Sequence, residues 1–410
     1  MPGSVPEGWR RLAIEEMACQ RAERIRPSRD DQTPYVALEH IPNGGGRLLG
    51  VDVAGSAMSH KTRFRAGDTL FGKLRPNLRK VVRVRFDGVC STDILAVAPK
   101  DGTDAAFLYQ LLASDVIYRH VMGDITGTKM PRTSWERLAD LSVSCPPLPE
   151  QRAIAAVLDA VDDTIERTEA VIAATEALRR SLLHELLTRG VPGMHSEWKH
   201  VPGLGTVPAC WEVTTLGEVC GVASGFAMGP SRAPKDSPRP YLTVANVHTD
   251  RVSVEHVRYM ELTDAEYASR SLQTGDLVMV EGHAQVSQLG RAAIVPPEAD
   301  GYTFQNHLFR VRLRTAGDLR YVSAFINGPR GRDYFASFGG TTSGLNTVSA
   351  GNVRLLPVSW PSPAEQQRIA EVLAAVDDSL TGELEQSGTL RAVKEATADA
   401  LLTGRARLTP

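Results

Sequence analysis

The fourteen residues Glu150-Gln151-Arg152-Ala153-Ile154-Ala155-Ala156-Val157-Leu158-Asp159-Ala160-Val161-Asp162-Asp163 return as Glu365-Gln366-Gln367-Arg368-Ile369-Ala370-Glu371-Val372-Leu373-Ala374-Ala375-Val376-Asp377-Asp378, with ten of 14 positions identical. The register shift of 215 then holds without a gap to Leu186-Leu187-Thr188 and Leu401-Leu402-Thr403. A match of this length marks an internal duplication, the feature that decides the fold before any local reading begins.

Both copies have a helical pattern. Ile154, Leu158, Val161, Ile165, Ile172, Leu178, Leu182 and Leu186 fall largely at three- and four-residue steps, as do Ile369, Leu373, Val376, Leu380, Leu384, Leu390, Val393 and Leu401; such spacing draws one apolar stripe along a helix. Pro149 suits a first turn, and Ser362 with Glu365 forms a capping-box pattern. At ~1.5 Å per residue, each repeated segment makes a rod of roughly 58 Å. Gly382 and Gly388 weaken the second rod by about 1 kcal/mol each, which predicts a bend or a frayed stretch. Equal length, equal stripe and duplication predict that the rods pack on each other antiparallel about a pseudo-twofold axis, as in an isologous contact. Ile154, Leu158, Val161 and Ile165 of the first rod, and Ile369, Leu373, Val376 and Leu380 of the second, would be packing positions of that pair. The alternative is that each rod is the core helix of its own domain.

Weaker echoes lie upstream of each rod. Gly8-Trp9 resembles Cys210-Trp211, Ala66-Gly67-Asp68 resembles Thr274-Gly275-Asp276, and Thr126-Gly127-Thr128 resembles Thr341-Thr342-Ser343. The offset grows from 202 to 208 to 215, so the second copy carries small insertions. The expected organisation is a first globular domain over 1–147, a rod over 148–189, a Gly- and Pro-rich linker over 190–208, a second domain over 209–361 and a second rod over 362–405. Val81–Val84, Asp93–Val97 and Asp276–Val280 look like strands, and Phe107–Met122 and Leu319–Phe338 look helical. The fold class is therefore α/β or α+β, as two duplicated domains separated by two long antiparallel helices.

The chain has 410 residues, 42% of them hydrophobic and 23% charged, in the range of globular proteins. No run approaches the ~20 apolar residues that cross a bilayer, and the N-terminus lacks an apolar signal region, so a secreted or membrane protein is not expected. Five cysteines without CxxC spacing argue against a disulfide framework or zinc finger and fit a reducing cytoplasm. Ten scattered histidines show no metal-ligand clustering. Gly67–Leu74 approximates a phosphate loop, but Leu74 lacks the hydroxyl that would bind magnesium, and Arg75-Pro76 follows where a helix should run. Nucleotide-binding, metalloprotease, hydrolase-elbow and amino-methyltransferase signatures are all missing.

The formal charge of −2 conceals a segregation. Residues 150–188 hold eight acidic and four basic side chains, and 365–403 hold eight and three, a net of −9 that leaves +7 for the rest. Between positions 61 and 85, Lys61, Arg63, Arg65, Lys73, Arg75, Arg79, Lys80, Arg83 and Arg85 are opposed only by Asp68. Basic stripes neutralise phosphates, arginine and lysine bond guanine edges, and amides can read adenine. Candidate DNA contacts are Lys73, Arg75, Asn77, Arg79 and Lys80, with Lys129 and Arg132 from a nearby loop. In the second half they are Gln285, Gln288, Arg291, Thr341, Thr342 and Asn346. An ordinary solvated face is the competing reading of the same residues.

This arrangement resembles the specificity subunit of type I restriction-modification enzymes over nearly the whole chain. The resemblance rests on Pro146-Pro147-Leu148-Pro149-Glu150-Gln151 and Pro361-Ser362-Pro363-Ala364-Glu365-Gln366, each with its helix, and on Gly205–Val213 with Leu216-Gly217-Glu218. Gly67–Pro76, Ser91-Thr92-Asp93 and Gly127–Arg132 are also similar to family segments. It implies two target-recognition domains that each read half of a split, asymmetric DNA sequence. The helices would serve as a ruler and as a docking surface for two methyltransferase subunits; half-sites one turn apart are spaced by roughly 34–36 Å, which a ~58 Å rod can span. It also implies that this chain is non-catalytic and binds no cofactor or metal itself. Its partners would use S-adenosylmethionine to methylate adenine N6, with ATP and magnesium where motor-nuclease restriction subunits join. A tandem-domain protein-binding adaptor and a stand-alone nuclease or methyltransferase are the other classes open.

Overall fold

The computed structural model describes residues 5–56, 59–123, 131–339 and 345–408. The chain divides into two compact units, one of Met1–Ala173 with Gly382–Pro410 and the other of Ala174–Thr381. The duplication is visible strand by strand. In the first unit a four-stranded antiparallel sheet runs in the order Ala18–Gln20, Ile94–Pro99, Thr69–Gly72, Val81–Arg83. In the second, the same order is built from Cys220–Ser224, Leu308–Leu313, Leu277–Val280 and Ala292–Ile294. Each unit also has an antiparallel pair that joins the strand entering its globular domain to the strand leaving it: Arg10 lies opposite Cys145, and Glu212 opposite Trp360.

A second sheet in each unit contains one parallel pair, Tyr35 beside Val89 and Tyr241 beside Thr303. It has five strands in the first unit and three in the second. The expected strands are thus present. The phosphate-loop-like segment is a turn and a strand: Gly67 adopts a φ of +94° and Gly275 one of +89°, a region that side chains disfavour. The adjoining Asp68 accepts from the Arg65 amide at 2.9 Å and from Arg21; Asp276 accepts from the Gln273 amide at 2.8 Å and from Arg312. These buried aspartates account for the repeated Gly-Asp.

The expected helical stretches need correction. The helical stretches expected over 107–122 and 319–338 are each a pair, Ala105–Leu112 then Asp115–Gly123, and Leu319–Asn327 then Pro329–Ala336. In the second pair Gly328-Pro329 forces the break, because proline disfavours a helical residue before it. The linker 190–208 is also structured, with Trp198–Val201 paired to Gly205–Pro208 as a hairpin.

The long helices run over Leu148–Arg189 and Pro363–Leu402. Each starts by inserting its repeated Glu-Gln into a domain. Gln151 donates to the Pro146 carbonyl at 3.0 Å and accepts from the Asp104 amide at 2.8 Å, while the Asp104 side chain caps Ala105–Leu112. Gln366 does the same with the Pro361 carbonyl (2.9 Å) and the Asp318 amide (2.9 Å), and Asp318 caps Leu319–Asn327. Glu150 accepts from Trp9 Nε1 at 2.9 Å and from Arg407 Nε and Nη2. Glu365 accepts from Trp211 Nε1 at 3.0 Å, with His195 Nε2 2.7 Å away. In both units a tryptophan, a buried carboxylate and a cationic or titratable partner from beyond the other helix's end form one clasp. The capping box expected at Ser362 is consequently half-made: its hydroxyl takes the Glu365 amide, but the Glu365 carboxylate is spent on the clasp.

Within each unit the helices lie antiparallel. Asp162 meets Lys394 at 2.6 Å and Glu169 meets Arg391 in the first unit; Arg179 meets Asp377 in the second, which repeats the Asp162–Lys394 pair with the two helices exchanged. Ile154, Leu158 and Ile165 are buried, as are Ile369 and Leu373, whereas Val161, Val376 and Leu380 are half-buried. Ile154 and Leu158 join Leu401 and Leu402 in the first unit's core; Ile369 and Leu373 join Leu183, Leu186 and Leu187 in the second's. Helix pairing and membership of a domain core, read from sequence as alternatives, are both realised. The stripe itself is shorter than expected, since Leu178, Leu384 and Val393 are exposed and the buried positions between are Thr168 and Ser387. Leu178 and Leu390 each follow a six-residue step, which at 100° per residue turns a side chain off the stripe. Neither Gly382 nor Gly388 interrupts the second helix.

Candidate nucleic-acid interface

The candidate contacts sit where the central sheet's third strand leaves each domain. In the first unit, Thr69–Gly72 exits into a short turn, Pro76–Leu78, flanked by Arg75 (φ 51°) and Arg79 (φ 48°), both left-handed. This loop lies against residues 131–133. Leu74 bridges to Arg132, the Arg75 amide donates to the Pro131 carbonyl at 2.9 Å, and the Thr133 amide donates to the Lys73 carbonyl at 2.9 Å. The structure therefore brings Lys73, Arg75, Asn77 and Arg132 together from positions nearly sixty residues apart. Arg75 and Asn77 are exposed, Lys73 is half-buried, and Arg132 is 63% exposed, 3.6 Å from Asp93.

The second unit repeats the construction. Leu277–Val280 exits into Gly282–His283 and the turn Val286–Gln288, and His283 pairs with Asn346 across an antiparallel bridge. Gln285 is exposed and Gln288 half-buried beside it. Lys129, Thr341 and Thr342 lie outside the described residues.

Other candidates turn out to hold the loops. Lys80 Nζ donates to the carbonyls of Leu38 (2.8 Å) and Ile41. Arg79 Nη1 sits 2.6 Å from Asp115 Oδ1, an ion pair rather than an aligned hydrogen bond, and its guanidinium stacks 3.9 Å over the Tyr118 ring. Asn346 is buried and donates to the Ala284 carbonyl at 2.9 Å and to that of His283. Arg291 is 9% exposed; it donates to Gln288 Oε1 at 2.6 Å and to the Val244 carbonyl at 2.9 Å. Burial pushes its guanidinium below the usual arginine value, and burial followed by Arg291 itself does the same to Arg332. Buried cations without a carboxylate are costly, so their carbonyl partners are structural necessities. The run of bases at 61–85 is dispersed likewise: Lys61 is buried and Arg83 pairs with Asp159 on the long helix at 2.8 Å. The tryptophan clasps and the Arg332 and Asp115 ties escaped the sequence reading. Only the clasps left a signal, a tryptophan and a glutamate repeated in both halves.

Among the described residues no group of three or more His, Cys, Asp or Glu could hold a metal ion, and none of the five cysteines is disulfide-bonded. No helix among them is long and apolar enough to cross a membrane.

Two copies of one mixed α/β domain, each presenting a paired loop and each feeding a long helix, define a duplicated two-domain protein. A family model described as "Type I restriction modification DNA specificity domain" matches residues 66–177. The EcoDI specificity subunit of Escherichia coli is 27% identical over 186 residues, 44% of this chain and 41% of that one. The EcoKI specificity subunit of Escherichia coli K12 is 20% identical over 92% of this chain and 84% of its own length. Two solved structures share the fold across the chain. One, from work on complex assembly and conformational transition of the type I R-M system, covers 99% of this chain and 100% of its own at 18% identity and a TM-score of 0.60. The S subunit from M. genitalium covers 100% and 99% at 13% identity and a TM-score of 0.56. The chain is thus similar to type I restriction-modification specificity subunits in sequence, and it shares the fold of these two solved structures.

Proposed function

We propose that this chain is the non-catalytic sequence-reading subunit of a type I methyltransferase or endonuclease, and that it recognises a bipartite, asymmetric site in double-stranded DNA, one half per unit. The observation that carries this reading is the equivalent loop pair of the two units: Lys73–Asn77 beside Arg132, and Ala284–Gln288 beside Asn346. One loop set is cationic and the other amide-rich. Such side chains suit phosphates and guanine in the first half and adenine edges in the second.

The long helices would dock two methyltransferase subunits, and two restriction subunits where the system cleaves. The chemistry belongs to those partners: adenine N6 methylation with S-adenosylmethionine, or ATP- and magnesium-dependent cleavage. The target amino group lies inside the stack, so a methylating partner must flip the base. Residues here would bind and orient the duplex.

Co-expression with the cognate methyltransferase subunit, followed by mapping of methylated adenines, tests the proposal. A split motif is expected, and exchange of residues 1–145 should alter one half of it. A continuous motif, no motif, or a swap that changes both halves would defeat the reading.

A further inference from the structure

The reading loops are not free arms. Each is tied to the second helix of its domain's helical pair by one arginine, with opposite polarity. In the first unit the arginine belongs to the loop: Arg79 reaches Asp115 Oδ1 at 2.6 Å and stacks at 3.9 Å on Tyr118, both on Asp115–Gly123. In the second unit the arginine belongs to the helix: Arg332, on Pro329–Ala336, donates from one Nη to the loop carbonyls of Ser287 (3.0 Å) and Leu289. We propose that Arg79 and Arg332 are positioning residues that set half-site specificity, each for its own unit, by holding the loop that carries the exposed readers. This rests on the DNA-reading function proposed above.

Three observations support it. The turns they brace, Pro76–Leu78 and Val286–Gln288, occupy equivalent places after the third strand of the sheet, so the tie has been kept although its direction is reversed. The residues next to the ties are the ones turned outward: Arg75 and Asn77 in one loop, Gln285 and Ser287 in the other. Both arginines are engaged with protein partners, with Arg332 half-buried and Arg79 34% exposed. A bidentate base contact demands sub-ångström placement, so a loop released by about 1 Å loses discrimination before it loses charge.

The test uses the full chain co-expressed with its methyltransferase subunit, and reads methylated sites together with the salt dependence of DNA binding. Arg79→Ala and Asp115→Asn should both relax the first half-site, with on the order of tenfold less discrimination at one or more positions. The second half-site and the salt slope should stay as they were. Arg332→Ala should do the converse. Arg332→Lys, which keeps a cationic donor on an unbranched side chain of different reach, should relax the second half-site less; it serves alone if the alanine variant fails to assemble.

A salt slope lowered by about one in Arg79→Ala, with Asp115→Asn unchanged in specificity, would make Arg79 a phosphate contact and overturn the proposal. Unchanged half-sites in the Arg332 variants would overturn it for the second unit. Absence of any sequence-specific methylation by the wild-type complex would remove the DNA reading and the tie with it, an outcome distinct from unchanged half-sites on an active wild type.

Discussion

Glu150 carries more of this structure than its place in a repeated motif suggests. The residue is 4% exposed, and its carboxylate accepts from Trp9 and from Arg407 Nε and Nη2. The Arg407 guanidinium holds it below the usual carboxylate range, with the Trp9 indole adding to the effect. A carboxyl whose folded pKa is depressed stabilises the fold fully above its unfolded value of ~4.3 and loses that contribution as pH falls through the folded value. Glu150→Gln should therefore cost about 2 kcal/mol at neutral pH. Thermal melts should show the gap between wild type and variant closing below about pH 4; a gap that persists into acid would assign the effect to packing. The loop residues make a second prediction under the DNA reading. Arg75→Ala should lower the salt slope by about one, while Lys80→Ala should leave it unchanged because its ammonium already serves two carbonyls. Nine bases in one stretch could not be sorted into these roles from sequence, since each partner lies far along the chain.

The long helices behave as elements anchored at their starts and tuned along their lengths. Gln366 is fully buried, and its amide satisfies the Asp318 amide and the Pro361 carbonyl. Gln366→Leu strands both and should cost about 1–3 kcal/mol, read as a lower denaturation midpoint. Gly382 and Gly388 lie within the unbroken second helix, and a Cβ added at either meets nothing within 4 Å. Gly382→Ala and Gly388→Ala should each stabilise the protein by about 0.5–1 kcal/mol. Calorimetry would register this as a higher Tm, and a lower Tm would show that the helix needs its glycines. The helices were legible because periodicity is local. Their buried seam was less so: six-residue steps at Leu178 and Leu390 break a stripe that looks continuous on paper, and Thr168 and Ser387 take buried positions instead.

At the scale of the molecule, the near-zero charge resolves into −9 on the repeated helical segments and +7 elsewhere. Acidic helix positions are used internally: Asp162 and Asp159 take Lys394 and Arg83 in the first unit, and Asp377 takes Arg179 in the second. Each unit has its own core and its own clasp, drawing on both long helices. Under the DNA reading proposed above, a substitution confined to one unit's loop should therefore leave the other's half-site untouched. Methylation maps of a first-unit and a second-unit variant in parallel would check this, and cross-talk between half-sites would contradict it.

By itself the sequence determined the duplication, the two long helices and the strands of the central sheets. Those features are written in local periodicity and in similarity between copies, which survive without coordinates. Only the tertiary structure decided which cations reach outward and which are consumed. Arg79 and Asp115, Arg332 and Ser287, Trp9 and Glu150 are paired by the packing of distant segments, and nothing in the residues near any one of them announces its partner. A charge in a sequence has a sign but no environment, and burial together with hydrogen-bond partners settles what it does.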